Sequence, residues 1–420
     1  MQTAEVVITG VGVVSPIGIG KEAFWDALLS GHCGIGPATQ AKLGEMPPQL
    51  VGEVRGFDAR AFVANRKSLK VMSRDAQLGV AASTLACRDA GVCGGMIDPQ
   101  RFGVVLGADQ ICSQIQESES IYSACMVDGR FDFRLWGTKG LAASFPLGFL
   151  RVLPNMVASH VSIAQDARGP NNTIHEGEIS SLLAVTEAAS VIQRGMADVM
   201  LAGGASSQMH PLDFVRRIAM GNLSPRNRDP ASVVRPFDAH RDGYVWSEGA
   251  AVLVLESREH AEARGAKILA RLKGWATTFE AVKLPGNLTG SGLRRAIVAA
   301  LDRAIVKPDD LGHINAHGLS TIRDDALEAA VLHDVLPQTP VTALKGHLGN
   351  AAAAGAVMEL AASVLAIQEG CVPAVRNYEQ ADPACPIHVI RDRPLATSRS
   401  DALCLTWMPF GQSAAVVVGR

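Results

Sequence analysis

A chain of 420 residues with 48% hydrophobic content can fill a large core, and its length suggests two or three domains or two fused half-domains. The net charge of −2 and a pI near 6.6 exclude a polybasic face for nucleic acid or an anionic membrane. No apolar run reaches the roughly 18 residues that span a bilayer, and Met1-Gln2-Thr3-Ala4-Glu5 has no basic leader, so a cytoplasmic protein without a membrane span is expected.

The first element in chain order is a buried strand at 6–16 that runs into a glycine turn. Gly10, Gly12 and Gly18 do not make a dinucleotide loop, because no GxGxxG with a following acidic residue is present. A helix comes next, with Phe24, Trp25, Leu28 and Leu29 on one face. Residues 76–90 read as an alanine-rich helix and 102–107 as a strand. Residues 115–150 mix polar and aromatic residues without a steady period and read as an excursion over the surface. From 179 to 194, Ile179, Leu182, Leu183, Ala189 and Ile192 recur at helical spacing, and a strand at 199–202 follows. Strands at 249–256 and 268–275 precede a helix at 291–304, a strand at 313–316 and a helix at 325–335. A strand at 341–344, a long small-residue helix at 351–368 and strands at 403–407 and 414–418 complete the chain. Continuous apolar strands alternating with helices mean an α/β sheet covered on both faces.

The eight cysteines, at 33, 87, 93, 112, 125, 371, 385 and 404, form no CxxC pair and read as reduced, packed thiols. No metal-ligand spacing is present either: His313 and His317 are four apart, but on a segment that reads as strand.

Four stretches carry specific patterns: VVITGVGVVSPIG at the start, RGPNNTIHEGEISS from Arg168, ADVMLAGGA from Ala197, and RPFDAHRDGYVWSEGAAVLVLE from Arg235. Together they resemble the β-ketoacyl-[acyl carrier protein] synthases, over nearly the whole chain and most weakly at 115–145. The resemblance implies a thiolase-type, five-layer αβαβα fold built from two similar βαβαβαββ halves, here 1–256 and 257–420. It also implies a dimer whose interface runs along a strand near residues 197–203.

In that family a cysteine at a helix start takes the acyl chain, its pKa lowered by the helix dipole. Two histidines decarboxylate malonyl-carrier-protein, a lysine orients them, and two backbone N–H groups form an oxyanion hole. In this chain the cysteine position is Glu178. The first histidine is His317, in His317-Gly318-Leu319-Ser320-Thr321, where Leu319 replaces a pantetheine-contacting threonine and Thr321 is kept. The lysine is Lys345, and counting on from it the second histidine position is Asn350, with His347 three places short. The C-terminal glycine-rich turn becomes Met408-Pro409-Phe410-Gly411-Gln412-Ser413, so the residue due to complete the oxyanion hole is Pro409, which has no N–H. Glu178, His317, Asn350 and Lys345 are thus the candidate chemical residues, with Thr321, Leu319, Pro409, Phe410 and Trp407 as candidate walls for substrate. His347 is also expected along the wall. His175 and Glu176 are expected in ordinary packing, as are Ser180 and Ser181.

A carboxylate cannot hold an acyl chain as a thioester does, because a mixed anhydride hydrolyses too readily. The expected protein is therefore a non-condensing, ketosynthase-like subunit of fatty acid or type II polyketide synthesis, comparable with a chain-length factor. The alternative is an enzyme of altered chemistry on acyl or malonyl thioesters, with Glu178 and His317 in decarboxylation, hydrolysis or proton transfer. The resemblance implies no cofactor beyond acyl groups carried on phosphopantetheine of an acyl carrier protein or on CoA. It implies an acyl carrier protein as partner, and a homodimer or a heterodimer with a cysteine-bearing ketosynthase. Glu178, His317 and Lys345 are expected to form one electrostatic unit, with donors at the helix start also serving Glu178.

Overall fold

The computed structural model describes residues 4–39, 49–92, 95–112, 115–220, 223–226, 229–282 and 287–420. Ten strands carry the main sheet. The first five are β1 Val6–Ser15, β2 Phe102–Ala108, β3 Asn171–Ile174, β4 Val199–Ser207 and β5 Glu248–Ser257. The second five are β6 Ala270–Phe279, β7 Leu311–Asn315, β8 Val341–Thr342, β9 Asp401–Trp407 and β10 Gln412–Gly419. Their order is β8-β7-β9-β10-β6-β1-β5-β4-β2-β3, with the short strand Gly18–Ile19 beside β1. Outward from the β1–β6 seam, each half runs first, fifth, fourth, second, third, which is the repeat that two similar halves require. The seam is short: Val7 pairs with Arg271 and Ile8 with Ala270.

The helices used below are α1 Lys21–Leu29, α2 Arg74–Ala90, α3 Ile115–Ala124, α4 Met156–Gln165, α5 Ser180–Gln193, α6 Pro211–Met220, α7 Ser291–Ala304, α8 Ile322–Val335, α9 Lys345–Leu348 and α10 Gly355–Glu369. Along β5, Ala251, Leu253 and Leu255 face an inner core shared with α5 and α10. Ala250, Val252 and Val254, one residue out of step, face the core under α2. In the second half α7 packs Ala296 and Ala300 against the core that holds Leu403 and Val417. Outer helices, sheet, inner helices α5 and α10, second sheet half and outer helix make the five layers.

Several expected elements shift. The strand expected at 268–275 is Ala270–Phe279, and that at 341–344 is only Val341–Thr342. The helix expected at 351–368 breaks into a 3-10 turn, Ala352–Ala354, followed by α10. The stretch Ala352–Glu369 is long and apolar enough to cross a membrane, contrary to the reading that no such run exists, but 89% of it is buried inside the fold. Elements α4, β3 and α6 were not among the expected ones, although α6 is strongly amphipathic. β4, the strand expected along the interface, lies between β5 and β2 and has no free edge, while β3 is the edge of this half.

Residues 115–150 do run over the surface. They carry α3, the hairpin of Met126–Val127 with Arg130–Phe131, and short helical turns. The rings of Tyr122, Phe131, Phe133 and Trp136 pack at centroid distances of 5.4 to 6.3 Å. Their outer faces stay open: Phe133 is 74% exposed, Leu141 59% and Phe149 56%.

Candidate functional site

Glu178 is delivered by a short turn between β3 and α5. The turn, Gly177–Ile179, is 3-10. Gly177 has φ +58°, a left-handed backbone that favours glycine, and a Cβ there would also push the flexible end of Met408 aside. Glu178 therefore precedes the α-helix rather than capping it. Among the described residues no row of N–H donors serves it; the turn ahead of α5 is closed by Ser180, whose Oγ donates to Gly177 O at 2.7 Å and accepts from Glu176 N–H at 2.8 Å. Ser181 Oγ accepts from Val357 N–H at 3.2 Å and ties α5 to α10. Both serines thus serve packing, whereas His175 and Glu176 are exposed rather than packed.

The carboxylate is held by side chains. Glu178 Oε2 lies 3.0 Å from His317 Nε2, and Asn350 Nδ2 donates to Oε1 at 2.9 Å. Asn350 is locked in place: its N–H donates to Val245 O, its C=O accepts from Ser247 N–H, and its Oδ1 accepts from Ala352 N–H at 3.1 Å. That last bond fixes which end of the amide faces Glu178. The position due to hold the second histidine therefore still aims a donor into the site.

His317 follows β7 in a loop clamped by Glu328 of α8, whose carboxylate accepts from His317 N–H at 2.7 Å and Gly318 N–H at 2.9 Å. Lys345 Nζ lies 3.2 Å from His317 Nδ1 and donates to His317 O at 2.6 Å and Glu359 Oε1 at 2.8 Å. The ring's other nitrogen, Nε2, is the one aimed at Glu178 and presents hydrogen to its carboxylate. Thr406 Oγ1 also lies 3.1 Å from Nδ1. The expected electrostatic unit forms as a chain, Glu178–His317–Lys345–Glu359, in which Lys345 meets its carboxylate at Glu359 and not at Glu178.

Burial pushes the Glu178 carboxyl up, but the His317 hydrogen bond and charge, the Lys345 charge and the Asn350 bond outweigh it and bring the group from an ordinary 4.5 to about 2. Burial dominates at Glu328 and Glu359, which are raised despite the nearby Lys345 and His317 charges. A carboxyl whose folded pKa lies below its unfolded value stabilises the fold above pH 4.5 and loses that contribution as pH falls through about 2. Glu178→Gln is expected to flatten the pH dependence of urea-unfolding stability in that window. At neutral pH, Glu178→Ala is expected to cost roughly 1–4 kcal/mol and Glu178→Gln less, since an amide oxygen still accepts from His317 or Asn350. An acid limb identical in wild type and Glu178→Gln would contradict this.

The expected substrate walls divide. Trp407 is buried with its ring 6.3 Å from His317, and no partner for its indole N–H lies among the described residues. Pro409 and Phe410 form the β9–β10 turn, with Phe410 44% exposed. Two N–H groups of this turn are used internally: Gly411 N–H donates to Met408 O at 3.0 Å and Met408 N–H to Gln412 O at 2.9 Å. Leu319 is packed into a small core with Phe214, Tyr244 and Trp246 instead of lining a channel. Thr321 caps α8: its hydroxyl accepts from Asp324 N–H at 3.2 Å and donates to Asp324 Oδ2 at 2.8 Å, so it is committed to the helix. His347 is outside the cluster, both ring nitrogens meeting backbone carbonyls, of His32 at 3.0 Å and Ala374 at 3.2 Å. Glu359 and Thr406 are site residues that the motif pattern alone did not single out. Glu359, a lone acid in the middle of an apolar helix, carried a usable signal.

Models of two families match this chain: the N-terminal domain of β-ketoacyl synthase over residues 3–261 and the C-terminal domain over 269–379. The chain belongs to the β-ketoacyl synthase family. It is 33% identical over 419 residues to the tetracenomycin polyketide synthase ketoacyl synthase alpha subunit of Streptomyces glaucescens, covering 98% of this chain and 96% of that one. The ishigamide ketosynthase/chain length factor superposes with a TM-score of 0.87 at 27% identity, covering 100% of this chain and 99% of that one. A type II polyketide ketosynthase in complex with its acyl-carrier protein and bound to the hexaketide superposes at 0.83 and 29% identity, over 100% of both chains. Glu178, the residue that the motif puts in register with the family's cysteine, has both carboxylate oxygens bonded, to His317 and to Asn350.

Proposed function

We propose that this chain is the non-condensing member of a ketosynthase pair, a subunit comparable with a chain-length factor, working beside a cysteine-bearing ketosynthase on chains delivered by an acyl carrier protein in type II polyketide or fatty acid synthesis. The observation that carries the reading is Glu178: no thiol stands at the nucleophile position, and the carboxylate there is tied to His317 and Asn350. The likeness to a ketosynthase/chain length factor supports a paired role. So do the exposed apolar side chains of residues 115–153 and the edge strand β3, which together offer a surface for a partner. The acyl carrier protein enters by analogy with the ketosynthase complex named above.

The rival reading, Glu178 as a general base on acyl thioesters, is less well supported, because a carboxyl held near pKa 2 is a weak base at neutral pH. Co-expression with a cysteine-bearing ketosynthase, followed by size-exclusion chromatography with light scattering, tests the proposal. A one-to-one complex that condenses acyl and malonyl carrier proteins, while the chain alone does not, is the expected result. A chain that ignores the ketosynthase and turns over acyl thioesters by itself would overturn it.

A further inference from the structure

Apart from the Glu178 cluster, three metal-ligating side chains converge at the ends of β2 and β4. Cys112 Sγ, a ring nitrogen of His210 and an Asp213 carboxylate oxygen all lie within 4.8 Å of one another. Cys112 comes from the segment after β2; His210 immediately precedes α6 and Asp213 is in its first turn. About a hundred residues separate the cysteine from the other two, so spacing along the chain could not show the group.

Each of the three is poorly satisfied as it stands. Asp213 is 7% exposed, and its carboxylate meets the Cys112 thiol, a weak donor, at 3.8 Å and Arg216 Nη1 at 4.0 Å. Arg216 is shared with Gln110 Oε1 at 2.8 Å. Leu212 N–H reaches His210 Nδ1 at 3.2 Å, which leaves Nε2 as the other ring nitrogen; it is buried and has no partner among the described residues. Burial holds both acids in their protonated direction, Asp213 above its ordinary range and the Cys112 thiol at about 11. Asp109 and Asp75 add negative field, and Arg216 opposes it.

We infer that Cys112, His210 and Asp213 form a transition-metal site of the zinc class, separate from the Glu178 cluster. One thiolate, one imidazole and one carboxylate are ligands of borderline softness, which suit Zn²⁺ or Co²⁺ and not Mg²⁺ or Ca²⁺. Three protein ligands leave a fourth position for water. Binding releases the thiol proton, and also the Asp213 proton where it is present. For Nε2 to give its lone pair to the metal, the imidazole proton moves from Nε2 to Nδ1, and the Leu212 N–H bond to Nδ1 is given up in exchange. The metal ties the segment after β2 to α6, two neighbours of the sheet end from which Glu178 also projects.

Titration of the reduced, full-length protein with Co²⁺ tests this. One equivalent is expected to bind with a thiolate-to-cobalt charge-transfer band, displaced by Zn²⁺. Cys112→Ser is expected to lose the band, and Cys371→Ser, in a distant short strand, to keep it. Asp213→Asn, which leaves the thiol in place, is expected to weaken Co²⁺ at least ~10-fold and covers the case of a Cys112→Ser chain that does not fold. No thiolate band in the wild type, a band that survives in Cys112→Ser, or unchanged affinity in Asp213→Asn would each overturn the site.

Discussion

Incubated with acyl-loaded carrier protein, quenched in acid and mapped by peptide mass, this chain is expected to carry no acyl group on the peptide containing Glu178. The reason is chemical and geometric together. A carboxylate attacking a thioester would give a mixed anhydride, which water cleaves. The oxygens that would attack are committed, Oε2 to His317 at 3.0 Å and Oε1 to Asn350 at 2.9 Å. Loss of the nucleophile in an acyl-transfer site costs on the order of 10⁶ in rate. The β9–β10 turn adds to the deficit, because Pro409 has no N–H and a missing oxyanion donor costs on the order of 10²–10³. Condensation by the chain alone should therefore fall below detection, and a stable acyl adduct on Glu178 would refute both the assignment and the function proposed from it.

The largest loss of stability is expected from Glu359→Leu. Lys345 and Glu359 are 3% and 2% exposed and meet at 2.8 Å. Removing the carboxylate strands an ammonium whose other contacts are the ring and carbonyl of His317, and breaking a buried pair on one side costs about 3–5 kcal/mol. The double variant Lys345→Met with Glu359→Leu should recover much of that, since replacing both members of a buried pair is often nearly neutral. Urea unfolding of the two variants and the wild type separates the outcomes. A single variant as stable as the wild type would mean that Lys345 takes its compensation elsewhere.

The fold was legible where periodicity is strong. The apolar runs of β1, β5 and β10 and the helix Ser291–Ala304 follow from alternation and helical spacing. The position of β4 inside the sheet was not legible, because an apolar run announces burial without saying which neighbours bury it; β3, with Asn171 and Asn172, looks like loop. At the site, Glu178, His317, Lys345 and Asn350 were readable because each stands in a short motif with fixed spacing. What Leu319 and Thr321 touch was not legible, because motif position says nothing of a side chain's direction: Leu319 turns into a core, and Thr321's hydroxyl bonds to the start of α8. The cluster of Cys112, His210 and Asp213 was beyond reach of any spacing rule, because only folding brings the ends of β2 and β4 together.

The pairing of β1 bears on how the chain is made. β1 leaves the ribosome well before its long partner β5, with Val6 opposite Ser257 and Val14 opposite Ala250. During synthesis, Val6, Ile8, Val11 and Val13, all buried in the finished protein, wait for some 250 residues to follow before that ladder can close. A nascent or truncated chain ending before residue 248 therefore keeps an apolar strand with its edge unpaired, the kind of species that chaperones hold and that aggregates without them.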